Sequence, residues 1–294
     1  MSRQRDDTPI RSRDVRRRFE RAAASFDDGD FLHQRCFDGL IDRLEPMQLK
    51  PRRIVDIGCG TGSRTRALAK RYRRSQILGI DLALGMLRQS VRNRSRFSRI
   101  REVQADAQAL PLRTGIADMV IANLTPVWFS HPSTCFAEAA RVLREEGLFV
   151  FSSLGPDSLV ELRAAWGSAD VDAGPHVLPF ADMHNTGDAL VRAGLRDPVL
   201  DVEHVRLAYD EPAGLYRDLT LAGGRNVVRQ RRASLTGKAR FKRFEEAVAA
   251  IRKDGKIEVS MELVFGHAWG GGPRRPPGEY RVDPGGITRM RRNR

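Results

Sequence analysis

The stretch Ile54-Val55-Asp56-Ile57-Gly58-Cys59-Gly60-Thr61-Gly62 leaves this chain few ways to fold. Ile54 to Ile57 have the apolar, β-branched character of a short buried strand, and a helical pattern begins near Ser63. Between them lies a turn with glycine at every second position. Only glycine takes positive φ cheaply and brings backbone against a ligand with no Cβ in the way, so the turn is suited to touching a nucleotide or nucleoside. Alone, such a turn equally fits tight packing or helix capping. The acids at the downstream strand ends decide between these.

A dinucleotide fold carries G-x-G-x-x-G, with pyrophosphate on the helix N-terminus. Here the order is Asp56-x-Gly58-x-Gly60-x-Gly62, with a carboxylate ahead of the first glycine. That charge repels a phosphate and attracts a cationic amine, which suits S-adenosylmethionine and the ammonium on its methionine end. Nineteen residues after Gly62 the apolar strand Ile77-Leu78-Gly79-Ile80 ends in Asp81. An acid there can accept both ribose hydroxyls, as the analogous acid does in dinucleotide folds. A third strand, Val103-Gln104-Ala105, ends in Asp106, placed to accept from the adenine amino group. Leu82, Met86 and Ala107, just after these acids, and Asn123, at the end of a fourth strand, complete the candidate cofactor set with Asp56, Gly58, Gly60 and Gly62.

Periodicity gives strands over 54–57, 76–80, 100–104, 117–122 and 147–153, and helices over 64–74, 83–95 and 132–144. Strands alternating with helices mean βαβ units and a parallel sheet, whose ligands bind at the carboxyl ends of the strands. Ahead of them, two helical segments between Asp14 and Leu44 are split by Asp27-Asp28-Gly29-Asp30, which offers an N-cap for the second. These helices are expected to cover the cleft. Residues 1–13 are polar and expected to be without structure.

Beyond Gly155 the sequence predicts helices at 157–166 and 183–193, then strands at 199–209 and 257–265 with the alternation of an antiparallel pair. The residues between them, Asp210 to Gly255, are too many for a hairpin and hold helices near 211–221 and 238–253. They read as an inserted helical lid. After Trp269 a Gly- and Pro-rich run can propagate neither helix nor strand and is expected to be a mobile tail. The fold class is α/β, Rossmann-like, with a seven-stranded, mostly parallel sheet. Its parts are a tail and helical cover at 1–50, a main domain at 51–269 with the lid at 210–255, and a basic tail at 270–294.

The formal charge of +14 is uneven. Residues 1–21 net +4, residues 270–294 net +5, and the tract from Arg225 to Arg243 has eight Lys or Arg and no acid, leaving −3 elsewhere. Basic character is therefore expected in two tails and one internal segment, with an acidic partner for at least one of them. No run approaches the roughly 18–20 apolar residues of a membrane span, and the start lacks the apolar stretch of a secretory signal, so a cytoplasmic protein is expected. Cys36, Cys59 and Cys135 are scattered and lack metal-ligand spacing, and no ordered Ser-His-Asp or metal set occurs among the six His.

Methyl transfer from a sulfonium is an in-line displacement, and the enzyme contributes mainly alignment and exclusion of water. An amide or base-nitrogen methylase would carry Asn-Pro-Pro-Tyr after the fourth strand, whereas this chain has Asn123-Leu124-Thr125-Pro126. A carboxylate acceptor, already a nucleophile at neutral pH, needs no general base, consistent with the lack of a catalytic dyad. Trp128, Phe129 and His131 follow the fourth strand and are placed to form an acceptor wall.

From about Phe19 to Trp269 the chain resembles the malonyl-acyl-carrier-protein O-methyltransferases of biotin synthesis, a class I methyltransferase family. The resemblance is carried by Phe19-Glu20-Arg21-Ala22-Ala23-Ala24-Ser25-Phe26, Asn123-Leu124 with Trp128, Gly155-Pro156-Asp157-Ser158-Leu159-Val160-Glu161-Leu162-Arg163, Pro175-His176, Met183-His184 with Gly187-Asp188-Ala189-Leu190, and Phe265-Gly266-His267-Ala268-Trp269. It implies methylation of the free malonyl carboxylate on acyl carrier protein, with Phe26, Trp128 and His176 in the acceptor pocket. It also gives the basic tract an acidic partner, with Arg225, Arg229, Arg231 and Arg232 as docking contacts on a monomeric enzyme. The family usually has Tyr where this chain has Phe26, and Thr125-Pro126 ahead of Trp128 is a second departure. Two other readings are kept. One is a methyltransferase-like protein acting on a protein side chain, as in the related hydroxylases that assist respiratory complex I. The other is a nucleic-acid binder with a vestigial methyltransferase fold, motivated by a pI near 10.6 and expected to bind nucleic acid with steep salt dependence.

Overall fold

The computed structural model describes residues 10–129, 131–170, 175–231 and 236–271. One sheet organises them, in the order β3-β2-β1-β4-β5-β8-β6, with a two-residue strand β7 paired to β8. The strands are β1 Arg53–Ile57, β2 Gln76–Asp81, β3 Ile100–Gln104, β4 Ala117–Ala122, β5 Leu143–Leu154, β6 Arg196–Tyr209, β7 Arg252–Lys253 and β8 Lys256–Trp269. The first five pair in parallel; β8 enters antiparallel between β5 and β6. The order reverses between β1 and β4, the place where α/β sheets open a ligand crevice.

Both faces of the sheet are covered. On one side α2 (Phe31–Leu44) buries Cys36, Phe37, Leu40 and Leu44 against Leu148, Val150, Leu263 and Phe265, with Leu68 of α3 (Ser63–Arg71) in the same cluster. On the other, α5 (Pro132–Val142) buries Cys135, Phe136, Ala139 and Val142 against the aromatic pair Phe149 and Phe151, joined by Leu190 of α7 (Met183–Arg192). Burial of each such large side chain contributes about 1.5–3 kcal/mol relative to exposure, so the two layers outweigh local helix propensity. All three cysteines are free and buried. No described helix is long and apolar enough to cross a membrane.

The cover begins earlier than its sequence suggests. Ile10 is buried and bridges Val228, and α1 runs Ser12–Ala22, so residues 10–13 are structured because Ile10 and Val15 join an apolar cluster with Leu178, Val227 and Val228. A 3-10 turn at Phe26–Gly29 separates α1 from α2. Asp30 does not cap α2 through its side chain; it pairs with Arg64 instead.

The helices between β6 and β8 are α8 (Pro212–Leu221) and α9 (Lys238–Ala250). They form a core of their own with α6 (Val160–Ala169), in which Leu215, Phe244 and Val248 meet Leu162, Ala165 and the start of β8. Their links to the rest run to the cover. Leu221 sits under Gly29, and Gly223 lies under the Phe19 ring. Helix α6 starts at Val160 rather than Asp157 because the Glu262 carboxylate accepts the Asp157 amide at 2.7 Å and holds 157–159 as a turn. The tail from residue 272 lies outside the described residues.

Charge is less confined than the segment totals indicate. Residues 50–101 hold fifteen Lys or Arg and two acids. Arg53, Arg96, Arg99 and Arg101 line a groove at the amino ends of β1–β3, away from the carboxyl ends, beside the 97% exposed Phe97.

Candidate active site

The turn after β1 is fastened to the end of β2. Gly58 and Cys59 amides donate to the Ile80 carbonyl at 2.7 and 3.0 Å, and the Gly60 amide donates to Asp81 Oδ2 at 2.9 Å. The other Asp81 oxygen accepts the Ala83 amide at 2.8 Å, one residue before α4 (Leu84–Asn93). Asp56 accepts a 2.5 Å bond from Thr65 Oγ1 of α3, and Asp106 Oδ1 accepts the Gln108 amide at 2.9 Å. Parallel pairing brings these strand ends to one rim. Asp56, Asp81 and Asp106 all line a single cleft of about 990 Å³, counting solvent at its open side. Leu82, Met86, Ala107 and Asn123 line it too.

The three glycines do different work. Gly60 has φ +55, and among the described residues a Cβ there would meet only Phe26, at 3.9 Å, inside the cleft. That is a cradle left open for something else. A Cβ on Gly58 would fall 2.1 Å from Thr125 Oγ1, and one on Gly62 2.1 Å from Ser90 Oγ. Gly62 does not line the cleft. The spacing alone gave all three the same ligand-facing role; packing against Thr125 and α4 explains two of them.

The electrostatics favour a cation. Burial pushes both Asp56 and Asp81 up to about 6, and Asp81 adds like-charge repulsion to Asp56. Backbone donors at Ala83 and Gly60 pull Asp81 the other way. Two desolvated carboxylates at neutral pH are a standing cost that an ammonium or hydroxyl donor relieves.

The cover supplies aromatic walls. Phe26, 7% exposed, faces the His33 ring edge-on at 4.9 Å, and Phe19 meets Trp128 edge-on at 5.0 Å. Both Phe26 and Trp128 line the cleft. His176 does not: it stacks on Trp166 at 3.8 Å beside Asp170, within reach of the α6–α9 core. Its proximity to Pro175 in the sequence gave no warning of that stacking. Residues the sequence did not single out also line the cleft, foremost Arg64 and His33. Arg64 pairs with Asp30, while its buried Nε and the buried Nδ1 of His33 lack hydrogen-bond partners among the described residues. Burial, then Arg64, drives His33 down to about 4, so its ring is neutral at pH 7. The signal for Arg64 was its place two residues after the last glycine; for His33 there was none.

Of the docking arginines, Arg225 donates to Thr220 Oγ1 at 3.1 Å and Arg231 to the Val228 carbonyl at 2.8 Å. Arg225, Arg229 and Arg231 are exposed, and Arg232 lies outside the described residues.

Residues 55–151 match the family model described as a methyltransferase domain. A malonyl-acyl-carrier-protein O-methyltransferase of Methylovorus sp. is 40% identical over 261 residues, 87% of this chain and 88% of that protein. One of Halorhodospira halophila is 40% identical over 293 residues, 98% of this chain and 99% of that protein. The chain belongs to this O-methyltransferase family. Solved structures agree on the fold. The YcgJ protein of Bacillus subtilis superposes with a TM-score of 0.58 at 16% identity, covering 81% of this chain and 99% of that one. A Haemonchus contortus phosphoethanolamine N-methyltransferase in complex with S-adenosyl-L-methionine gives 0.51 at 16% identity, covering 80% and 52%. In the O-methyltransferase family, as here, the chemistry is S-adenosylmethionine-dependent methylation, and the sheet is the class I one, mostly parallel.

Proposed function

We propose that this chain transfers a methyl group from S-adenosylmethionine to the free carboxylate of malonyl carried on acyl carrier protein. The observation that carries the reading is the set of Asp56, Asp81 and Asp106 around one cleft, in a chain 40% identical over nearly its whole length to proteins of that name. The cleft fits the donor in two respects. The Gly60 cradle leaves room for it, and the desolvated Asp56 and Asp81 gain from a cation and from hydroxyl donors.

When bound, the cofactor supplies an electrophilic methyl on a cationic sulfonium. Asp56 would attract its ammonium, Asp81 would take the ribose hydroxyls beside the Gly60 and Ala83 amides that it already accepts, and Asp106 would accept from the adenine amine. Gly58 and Gly60 shape the turn beside it; Leu82, Met86, Ala107 and Asn123 form the remaining wall. Phe19, Phe26 and Trp128 would keep water from the acceptor, whose carboxylate, ionised at neutral pH, would need no base to take the methyl as the carbon–sulfur bond breaks and the sulfonium departs as a neutral thioether. Arg64 and the neutral His33 offer donors for a ligand carboxylate. Arg225, Arg229, Arg231 and Arg232 attract the acidic carrier. The ester so formed is the neutral end that the resemblance to biotin-route enzymes implies, made by a cytoplasmic monomer.

Incubation with methyl-labelled S-adenosylmethionine and malonyl carrier protein is expected to place base-labile label on the acyl group. Label on a protein side chain or on RNA, or none on any acyl carrier, would overturn the reading.

A further inference from the structure

The lid and the cover meet along one seam. Ile10 pairs with Val228 across it, Phe19 packs on Gly223, and Ile10, Val15, Val227 and Val228 share an apolar cluster that Trp128 and Phe19 extend to the cleft. Ser12, Val15 and Phe19, on α1, line the cleft itself, whereas no described residue of 210–255 does. The described part of the inserted segment therefore does not roof the cleft. It clamps the strap that does.

Beside this seam, arginines from both stretches come together. Arg18 of α1 is partly buried, and the charges that act on it are Arg225, Arg21 and Arg231, in that order, all cations. Burial first and these neighbours second push Arg18 down from its ordinary value. Arg21, Arg225 and Arg231 are exposed. Two separate stretches of chain thus bring guanidinium groups near one another, close in sequence to the cleft-lining Phe19 and to the seam residue Val228, where they repel one another and cost stability. An acidic partner seated there would turn that cost into attraction.

We propose that α1 and the 223–231 loop form one composite docking face, with Arg18 and Arg21 joining Arg225 and Arg231, for the acidic carrier protein that brings the acyl group. The inference rests on the function proposed above. It adds that the N-terminal strap, and not the inserted segment alone, recognises the carrier, and that the thioester arm enters beside Phe19 and Trp128. The basic groove at the amino ends of the strands cannot serve this purpose, because it opens at the end of the sheet away from the cleft.

The test compares wild type with R18E/R21E and with the milder R18Q/R21Q, using malonyl carrier protein and a small malonyl thioester as acceptors. The expected result is a roughly tenfold or larger rise in KM for the carrier with R18E/R21E, and a smaller rise with R18Q/R21Q. KM for the small thioester, kcat at saturating carrier and S-adenosylmethionine affinity should stay within about twofold, showing that the cleft is intact. Relief of repulsion should leave the melting temperature equal or higher. An unchanged KM for the carrier in folded variants overturns the inference, as does an equal rise for both acceptors. So does single-stranded RNA binding that the variants abolish while carrier kinetics stay normal. Failure of wild type to methylate either acceptor is a different result, and it removes the proposed function itself.

Discussion

Asp81 holds Gly60: the acid at the end of β2 accepts the amide of the middle glycine of the β1 turn at 2.9 Å, and its second oxygen holds Ala83 at 2.8 Å. A residue read from sequence as a ribose ligand is thus also the brace of the loop that faces it. Asp81→Ala should weaken S-adenosylmethionine binding by about two orders of magnitude in calorimetry. It should also lower unfolding free energy on the order of 1 kcal/mol, since two part-buried amides lose their acceptor while the cost of a desolvated charge is relieved. Tight binding retained by the alanine variant would remove Asp81 from the site.

Gly60 and Gly62 should separate in a paired substitution. Gly60→Ala places a methyl in the open cradle and should weaken cofactor affinity at least tenfold, with the modest destabilisation of a left-handed alanine, about 1 kcal/mol. Gly62→Ala drives a methyl into Ser90 and should cost stability of about 1–3 kcal/mol while affecting affinity less. Thermal melts with and without cofactor distinguish them, and equal effects on affinity would contradict the assignment.

Asp56 gives a pH signature with a definite sign. Its folded value of about 6 lies above the ordinary carboxylate value of 3.8, so the folded state holds more protons than the unfolded one between those limits. Its contribution to apo stability therefore falls as pH rises from about 4 to about 6 and stays low above that. Asp56→Asn, which keeps an acceptor for Thr65, should be more stable than wild type at pH 8, by on the order of 1–3 kcal/mol, with the gap closing toward pH 4. Cofactor affinity should show the opposite trend in wild type, dropping as pH falls through about 6. Denaturant melts across pH check the first, and calorimetry the second.

His33 should titrate near 4 in the folded apo protein, since burial and Arg64 both oppose its protonation. Its folded value lies below the ordinary 6.5, so its contribution to stability is lost as pH falls from about 6.5 to about 4. Imidazole resonances followed by NMR should show a neutral ring at pH 6, and a midpoint above 6 would mean that the ring is solvated.

Most of the sheet was legible because its strands are apolar runs bounded by glycine, aspartate or proline, and strand-end acids are visible as such. Asp106, for instance, comes directly after Val103-Gln104-Ala105, at the point where pairing with β2 stops. What was hidden depends on long-range contact. Ile10 looked like part of a polar tail, and only Val228, over two hundred residues away, makes it structural. Asp30 had the residue type and position of a helix cap but found Arg64 first. His176 shares its dipeptide with the family pattern, yet ring stacking on Trp166 decides where it sits. The arginines of residues 50–101 vanished in a whole-segment balance because acids elsewhere in the chain cancel them numerically without being near them.

The antiparallel insertion of β8 sets a timetable. Among the described residues β6 pairs only with β8, through twelve registered positions from Arg196–Trp269 to Tyr209–Ile257, so on the ribosome it must wait as an unpaired edge until residues 256–269 have emerged. Until then the intervening helices α8 and α9 have no completed floor, and the seam with α1 has nothing rigid behind it. Nascent chains halted before Lys256 should accordingly be the ones that chaperones retain, and those released after Gly271 should not.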